Sequence, residues 1–398
     1  MKTVSIALAI ALAAVSGGMP TQPLAAATAN HSQQRGTVIS VEPLGVMNQA
    51  KLQKFAAELP GGISVKQGIE LFRVTYWTVY KGKPTKASGL FAVPQSVAKP
   101  KGVMMYLHGT NNTRALSPSQ PNRADGDTDA AVFGGNGYYV VLPDYIGQGV
   151  SHEVHPYIIT KPLVDDSIDM LKAVRQIVAD RGLGWSPNLY MMGFSQGGQV
   201  VAGLHRELDR HPLRGYRLKG SIGVAGPYEL RKTSLPKALE NECLKCVGYL
   251  VWGAYAYADY YGYPLSKALK PAYVDAVPKL FDGSRTIRQI GAALPAEPED
   301  MFQPEFLKAM RNNGHNWFTK GLDRNETYRW VPVAPFRLFY GDKDIDVTPA
   351  ASKAFFDYAK PRGGKISLHS LGPVDHQTSI SLIYAPALKW FDELALAI

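Results

Sequence analysis

Five residues constrain this chain more than any others: Gly193-Phe194-Ser195-Gln196-Gly197. They follow the apolar run Asn188–Met192 and open a stretch with helical spacing, so a serine stands where a strand turns sharply into a helix. Such a turn holds the serine backbone in a strained conformation that lifts the hydroxyl clear of the sheet. It closes only if the residues two positions to either side are small, as Gly193 and Gly197 are. In a chain with 38 glycines the five-residue pattern arises readily by chance. Its weight therefore rests on the flanks: strand before, helix after, and partners in the right order downstream.

The rest of the chain supplies the setting. Ile69–Tyr80 and Ala87–Val93 alternate like half-buried strands around the turn-forming Lys81-Gly82-Lys83-Pro84, which predicts an opening antiparallel hairpin. Gly102–Leu107, Tyr138–Leu142, Asn188–Met192 and Ser221–Ala225 are short apolar runs separated by helical segments such as Asp165–Asp180 and Gln196–Arg210. That is the pattern of buried parallel strands in crossover units. Phe336–Tyr340, Lys365–His369 and a closing helix from about Gln377 to Leu394 follow after a long interval. The expectation is an α/β protein with a mostly parallel eight-stranded sheet and helices on both faces.

The interval at 227–332 breaks this rhythm. It carries Tyr249, Trp252, Tyr255, Tyr257, Tyr260, Tyr261 and Tyr263, then helical pieces broken by prolines. It is expected to be an inserted helical cap, or lid, with one apolar side turned to the site. The core is then split into 30–226 and 333–398.

A neutral serine hydroxyl is a poor nucleophile. It needs a histidine within hydrogen-bond reach and a carboxylate that holds the histidine in the right tautomer. In α/β proteins with such an elbow the chain order is serine, acid, histidine. Only His315, His369 and His376 follow Ser195. His315 falls in the inserted segment and His369 inside the last strand, which leaves His376, in the loop Gly372–Gln377. The acid belongs just past the seventh strand, where Gly341–Val347 offers Asp342, Asp344 and Asp346. The spacing from Gly341 to Val347 selects Asp344, with Asp346 the alternative and Asp342 a turn former. Backbone N–H groups must also receive the oxyanion of a tetrahedral intermediate. Gln196, after the serine, supplies one. His108-Gly109-Thr110, directly after the third strand, supplies the other, from Thr110 or alternatively Gly109. Pro143–Gly149 is expected to form a structured turn beside the site. The following His152 and His155 lack a third ligand at metal-binding spacing, so no metal and no cofactor are expected.

Met1-Lys2, the apolar Val4–Val15 and the small-residue zone ending Ala25-Ala26-Ala27-Thr28-Ala29 make 1–29 a secretory signal peptide. The expected protein is therefore secreted or periplasmic. Export favours oxidation of the two cysteines, so Cys243 and Cys246 are expected to form a local disulfide. The formal charge of +10 is spread without a Lys/Arg block, which argues against nucleic acid. It suits peripheral contact with anionic surfaces or lipid interfaces.

Gly137–Gly149, the Gly193–Gly198 elbow, Gly341–Val347 and Asp375-His376 together resemble the secretory lipase (lipase A-like) family of α/β hydrolases and related exported bacterial esterases. The resemblance runs from about residue 70 to the C-terminus. It implies the α/β-hydrolase fold and hydrolysis of carboxylic esters, with Ser195, Asp344 and His376 as the triad. Two rival readings stay open. One is a serine peptidase or aminopeptidase on the same fold, using acidic residues such as Glu240, Glu242, Glu297, Glu299 or Asp300 for a substrate amine. The other is a hydrolase-fold binding protein without activity.

Overall fold

The central apolar runs become strands that are buried on both faces. Val103, Met105 and Leu107 enter one core cluster, while Met104 and Tyr106 enter another. A strand in that position needs an apolar residue at every place and shows no alternation. The computed structural model describes residues 33–121, 126–240 and 246–396. It assembles β1 (Val38–Met47), β2 (Ile69–Tyr80), β3 (Lys83–Pro94), β4 (Val103–Leu107), β5 (Tyr139–Pro143), β6 (Asn188–Phe194), β7 (Arg217–Val224), β8 (Phe336–Tyr340) and β9 (Ile366–Ser370) into one sheet. The strand order is β1-β2-β3-β5-β4-β6-β7-β8-β9. β1, β2, β3 and β5 pair antiparallel in sequence, and every pair from β5 through β9 is parallel.

The sheet thus has nine strands where eight were predicted. The additional strand, β1, lies at the edge against β2. It was hidden because Pro43 and Gly45 interrupt its pattern at a register shift and because most of it is only partly buried. Proline is tolerated on an edge strand, where one row of N–H groups needs no partner. The expected β2–β3 hairpin is present. Lys81 and Gly82 take φ of 49° and 76° at its tip, the two consecutive left-handed residues of a turn whose twist matches the strands.

Helices cover both faces, as expected. Thr160–Asp180 and Gln196–Arg210 pack Leu163, Met170, Val200 and Leu204 on one side, while Tyr384–Leu396 packs Ala387, Trp390 and Phe391 on the other. The long connection from β7 to β8 is helical in its described parts. Its largest helix, Cys246–Tyr261, joins Pro304–Arg311 and Trp317–Asn325 in a third cluster around Trp252, Phe302, Phe306 and Phe318. Tyr157, Ile158 and Ile159, from the segment after β5, belong to the same cluster and pack against this β7–β8 connection.

The expected signal peptide lies outside the described residues. So does Cys243, and with it the expected pairing to Cys246. No described cysteine is free. No described helix is long and apolar enough to cross a membrane.

Candidate active site

The elbow is built as its glycines demand. Ser195 sits at φ 55°, ψ −120°, between β6 and the helix Gln196–Arg210. This is a backbone region that a residue with a side chain occupies only where the surroundings compel it. A Cβ on Gly197 would lie 1.8 Å from the Leu107 carbonyl oxygen, and one on Gly193 would lie 2.1 Å from that of Gly197. The Ser195 N–H donates to the Val224 carbonyl at 2.9 Å, and its own carbonyl accepts from the Gly198 N–H at 2.8 Å.

Across the cleft, Asp375 caps the short helix His376–Ser381 by accepting the Thr378 N–H at 2.8 Å, which sets His376 at the first helical position. Its Nε2 lies 2.9 Å from Ser195 Oγ, and its Nδ1 lies 2.7 Å from Asp344 Oδ2. The carboxylate can only accept, so Nδ1 carries the proton and the Nε2 lone pair faces the serine hydroxyl. Asp344 is held in turn, because its Oδ1 accepts the N–H groups of Asp346 and Val347 at 3.0 and 2.8 Å. Both Asp344 and His376 are buried, and the Phe194 ring packs against the imidazole with centroids 4.7 Å apart. The structure therefore joins Ser195, His376 and Asp344 in one chain. Asp346 lines the apolar cleft, while Asp342 accepts the Ser370 hydroxyl at 2.9 Å.

Two clefts meet at Ser195, Thr110 and His376. One runs under the β7–β8 connection and is walled mainly by apolar side chains, among them Leu235, Leu250, Phe318 and Leu322, with Gln196 also lining it. Tyr249 and Tyr257 of the aromatic run reach this cleft, whereas Trp252 is buried behind it. The other cleft lies over the core and is richer in hydroxyl and amide groups, from Tyr106, Thr128, Gln377 and Tyr384. None of the described acidic residues weighed for amine recognition lines either cleft. Glu240 pairs with Lys237 and Glu299 with Arg311 instead.

Gln196 is the first residue of its helix, so its N–H has no carbonyl a turn earlier and is available at the cleft. Thr110 borders both clefts. Asp144, at the turn after β5, is fully buried. It accepts the Ser88 hydroxyl at 2.6 Å, the Ser119 N–H at 2.8 Å and the Ser119 hydroxyl. Burial raises its pKa above the ordinary carboxylate value, against these three hydrogen bonds. It braces the turn, as the sequence suggested.

Sequence reasoning missed His155 and Tyr157. His155 was weighed only as a metal ligand. Its Nδ1 lies 2.8 Å from the Ile146 carbonyl and its Nε2 2.8 Å from the Gln196 side-chain nitrogen. No local signal could have shown this, because the partner is 41 residues away. A second serine, histidine and aspartate also come together, away from the clefts. Ser221 Oγ lies 2.7 Å from His205 Nδ1. His205 Nε2 lies 3.3 Å from Asp209 Oδ2 but off the hydrogen-bonding direction.

No protein-family model matches this chain, and no curated protein does. Solved structures do match. A protein of Legionella pneumophila, provisionally described as a hydrolase, superposes with a TM-score of 0.85 at 24% identity, over 90% of this chain and 98% of that one. The rice cell wall degrading esterase LipA of Xanthomonas oryzae superposes at 0.79 with 23% identity, over 91% and 98%. Candida antarctica lipase A in its closed state does so at 0.69 with 14% identity, over 91% and 82%. The chain has the α/β-hydrolase fold, and an esterase and a lipase are among its structural neighbours.

Proposed function

We propose that this protein is a secreted serine hydrolase that cleaves carboxylic esters through an acyl-enzyme. The observation that carries the reading is the unbroken chain Ser195 Oγ, His376 and Asp344, at 2.9 and 2.7 Å, on a strained elbow open to a cleft. His376 takes the Ser195 proton as the oxygen attacks the ester carbonyl. It passes that proton to the departing alcohol, and it then activates the water that releases the acid. The Gln196 and Thr110 N–H groups receive the oxyanion, where a single donor is worth about 100- to 1,000-fold in rate. The apolar cleft takes the acyl chain, and the insertion at 227–332 is its cap. The esterase and lipase neighbours support this substrate class. The leader-like N-terminus supports export to an envelope or exterior where ester-bearing surfaces are met.

Hydrolysis of p-nitrophenyl esters of increasing acyl length tests the proposal, with Ser195→Ala and His376→Ala alongside. Both variants are expected to fold and to lose nearly all turnover, since such residues act as a unit. Activity that survives in Ser195→Ala refutes the mechanism.

A further inference from the structure

Gln196 opens the helix after Ser195, and a short segment following β5 reaches its side chain. The Ile146 carbonyl that faces His155 Nδ1 can only accept, so Nδ1 carries the proton and Nε2 is an acceptor. The Gln196 side-chain N–H therefore donates to Nε2, which settles the orientation of the amide. His155 is buried, and burial lowers its pKa to about 4, so this acceptor survives at any neutral pH. Two residues on, Tyr157 lines the apolar cleft together with Thr110 and Gln196. Both rings are backed by Trp252 of the insertion. Tyr157 stacks on it with centroids 4.4 Å apart and planes within 5°, and His155 meets it at 5.4 Å.

We propose that His155 is a positioning residue for the Gln196 oxyanion donor: by gripping the Gln196 side chain it holds the first turn of the helix, and Trp252 ties that grip to the insertion. This rests on the function proposed above. The first residue of a helix has no preceding turn to hold it, so its N–H direction is set by whatever its side chain and neighbours grip. A donor that drifts from the oxyanion position loses most of its effect on the transition state while substrate binding is little changed. On this account the insertion does more than roof the acyl cleft. Its tryptophan braces the segment that holds the Gln196 donor.

His155→Ala, Gln196→Met and the double variant test this, with Ser195→Ala as control. Gln196→Met keeps the backbone N–H and removes only the amide that His155 holds. Each single variant is expected to lower kcat by about 10- to 100-fold with KM within about threefold. A boronic acid that adds to the serine as a tetrahedral adduct should lose affinity by a similar factor. The double variant should be no worse than either single one, because both remove the same contact. His155→Gln, which places a carbonyl oxygen near the former Nε2 position, should recover most of the loss, and it serves as the folded comparison if His155→Ala is unstable. Unchanged kcat in His155→Ala, additive losses in the double variant, no rescue by glutamine, or a rise in KM alone would each overturn the proposal. Activity in Ser195→Ala would sink the underlying function instead, so the two failures are distinguishable.

Discussion

Asp344→Asn isolates the contribution of one proton. In the wild type the carboxylate accepts from His376 Nδ1–H through Oδ2, and Oδ1 accepts the N–H groups of Asp346 and Val347. Asparagine can keep the two backbone bonds with its carbonyl oxygen, so the loop is expected to survive. Its NH2 group then faces Nδ1 and demands an acceptor there. That forces the imidazole into the other tautomer, with Nε2–H pointing at Ser195, where it cannot take the hydroxyl proton. A wrong tautomer of this kind costs about 10,000-fold in kcat, on the order of 5.5 kcal/mol. Asp346→Asn touches a carboxylate on the cleft wall instead and should stay within about tenfold of wild type. Asp344→Ala differs again, because it leaves two N–H groups without their acceptor and adds about 1–3 kcal/mol of instability for each. The assay is kcat on a short p-nitrophenyl ester, with thermal melts to verify folding. A larger loss in Asp346→Asn, or Asp344→Asn within tenfold of wild type, refutes the tautomer argument.

Two further outcomes follow from the clefts and the buried histidines. Gly253 lines the apolar cleft, and a Cβ there would meet the Phe318 ring at 3.3 Å. Gly253→Leu should therefore lower kcat/KM for long acyl esters by about tenfold or more while short esters stay within about threefold, and equal losses across the ester series would show that the chain lies elsewhere. Folded His155 titrates near 4 against an ordinary 6.5, through burial. The unfolded chain therefore binds its proton first as pH falls, and the stability present above pH 6.5 is lost progressively down to about pH 4, by roughly 3 kcal/mol. Buried His205, also lowered by burial, acts in the same direction. Urea unfolding at pH 7 and pH 4.5 should show this loss, and His155→Gln should lessen it; an unaltered difference in that variant would remove His155 as its source.

The sequence discloses the parts of this molecule whose signals are local. Apolar runs mark the parallel strands, because burial on both faces demands them, and Gly193 and Gly197 mark the elbow, because backbone atoms occupy the space of any Cβ. Gly341 belongs with them: a Cβ there would lie 2.3 Å from the Val374 carbonyl oxygen. It lets the loop bearing Asp344 approach the loop bearing His376, and the three residues chosen by chain order meet there. β1 stayed hidden because an edge strand can carry Pro43 and Gly45 without burying a face. His155 and Tyr157 stayed hidden for another reason. What they touch depends on how the β7–β8 connection and the helix after the elbow settle together, and nothing within a few residues of them records that.

The buried Ser221, His205 and Asp209 place the same three side-chain types as the cleft does, with Ser221 and His205 fully buried. A search that matched only residue types and spacings would return both sets from this one molecule. Ser221 lies within β7, paired to Phe336, with its backbone in the ladder and its hydroxyl against the ring nitrogen opposite to the one Ser195 meets. Asp209 directs its carboxylate to the N–H groups of Val333 and Ala334, so it fastens the approach to β8. Identical functional groups thus serve as a rivet in one place and as a candidate reactive centre in another. What separates the two is vacancy: Ser195 opens onto two clefts with room beside its oxygen, while Ser221 is closed in on every side.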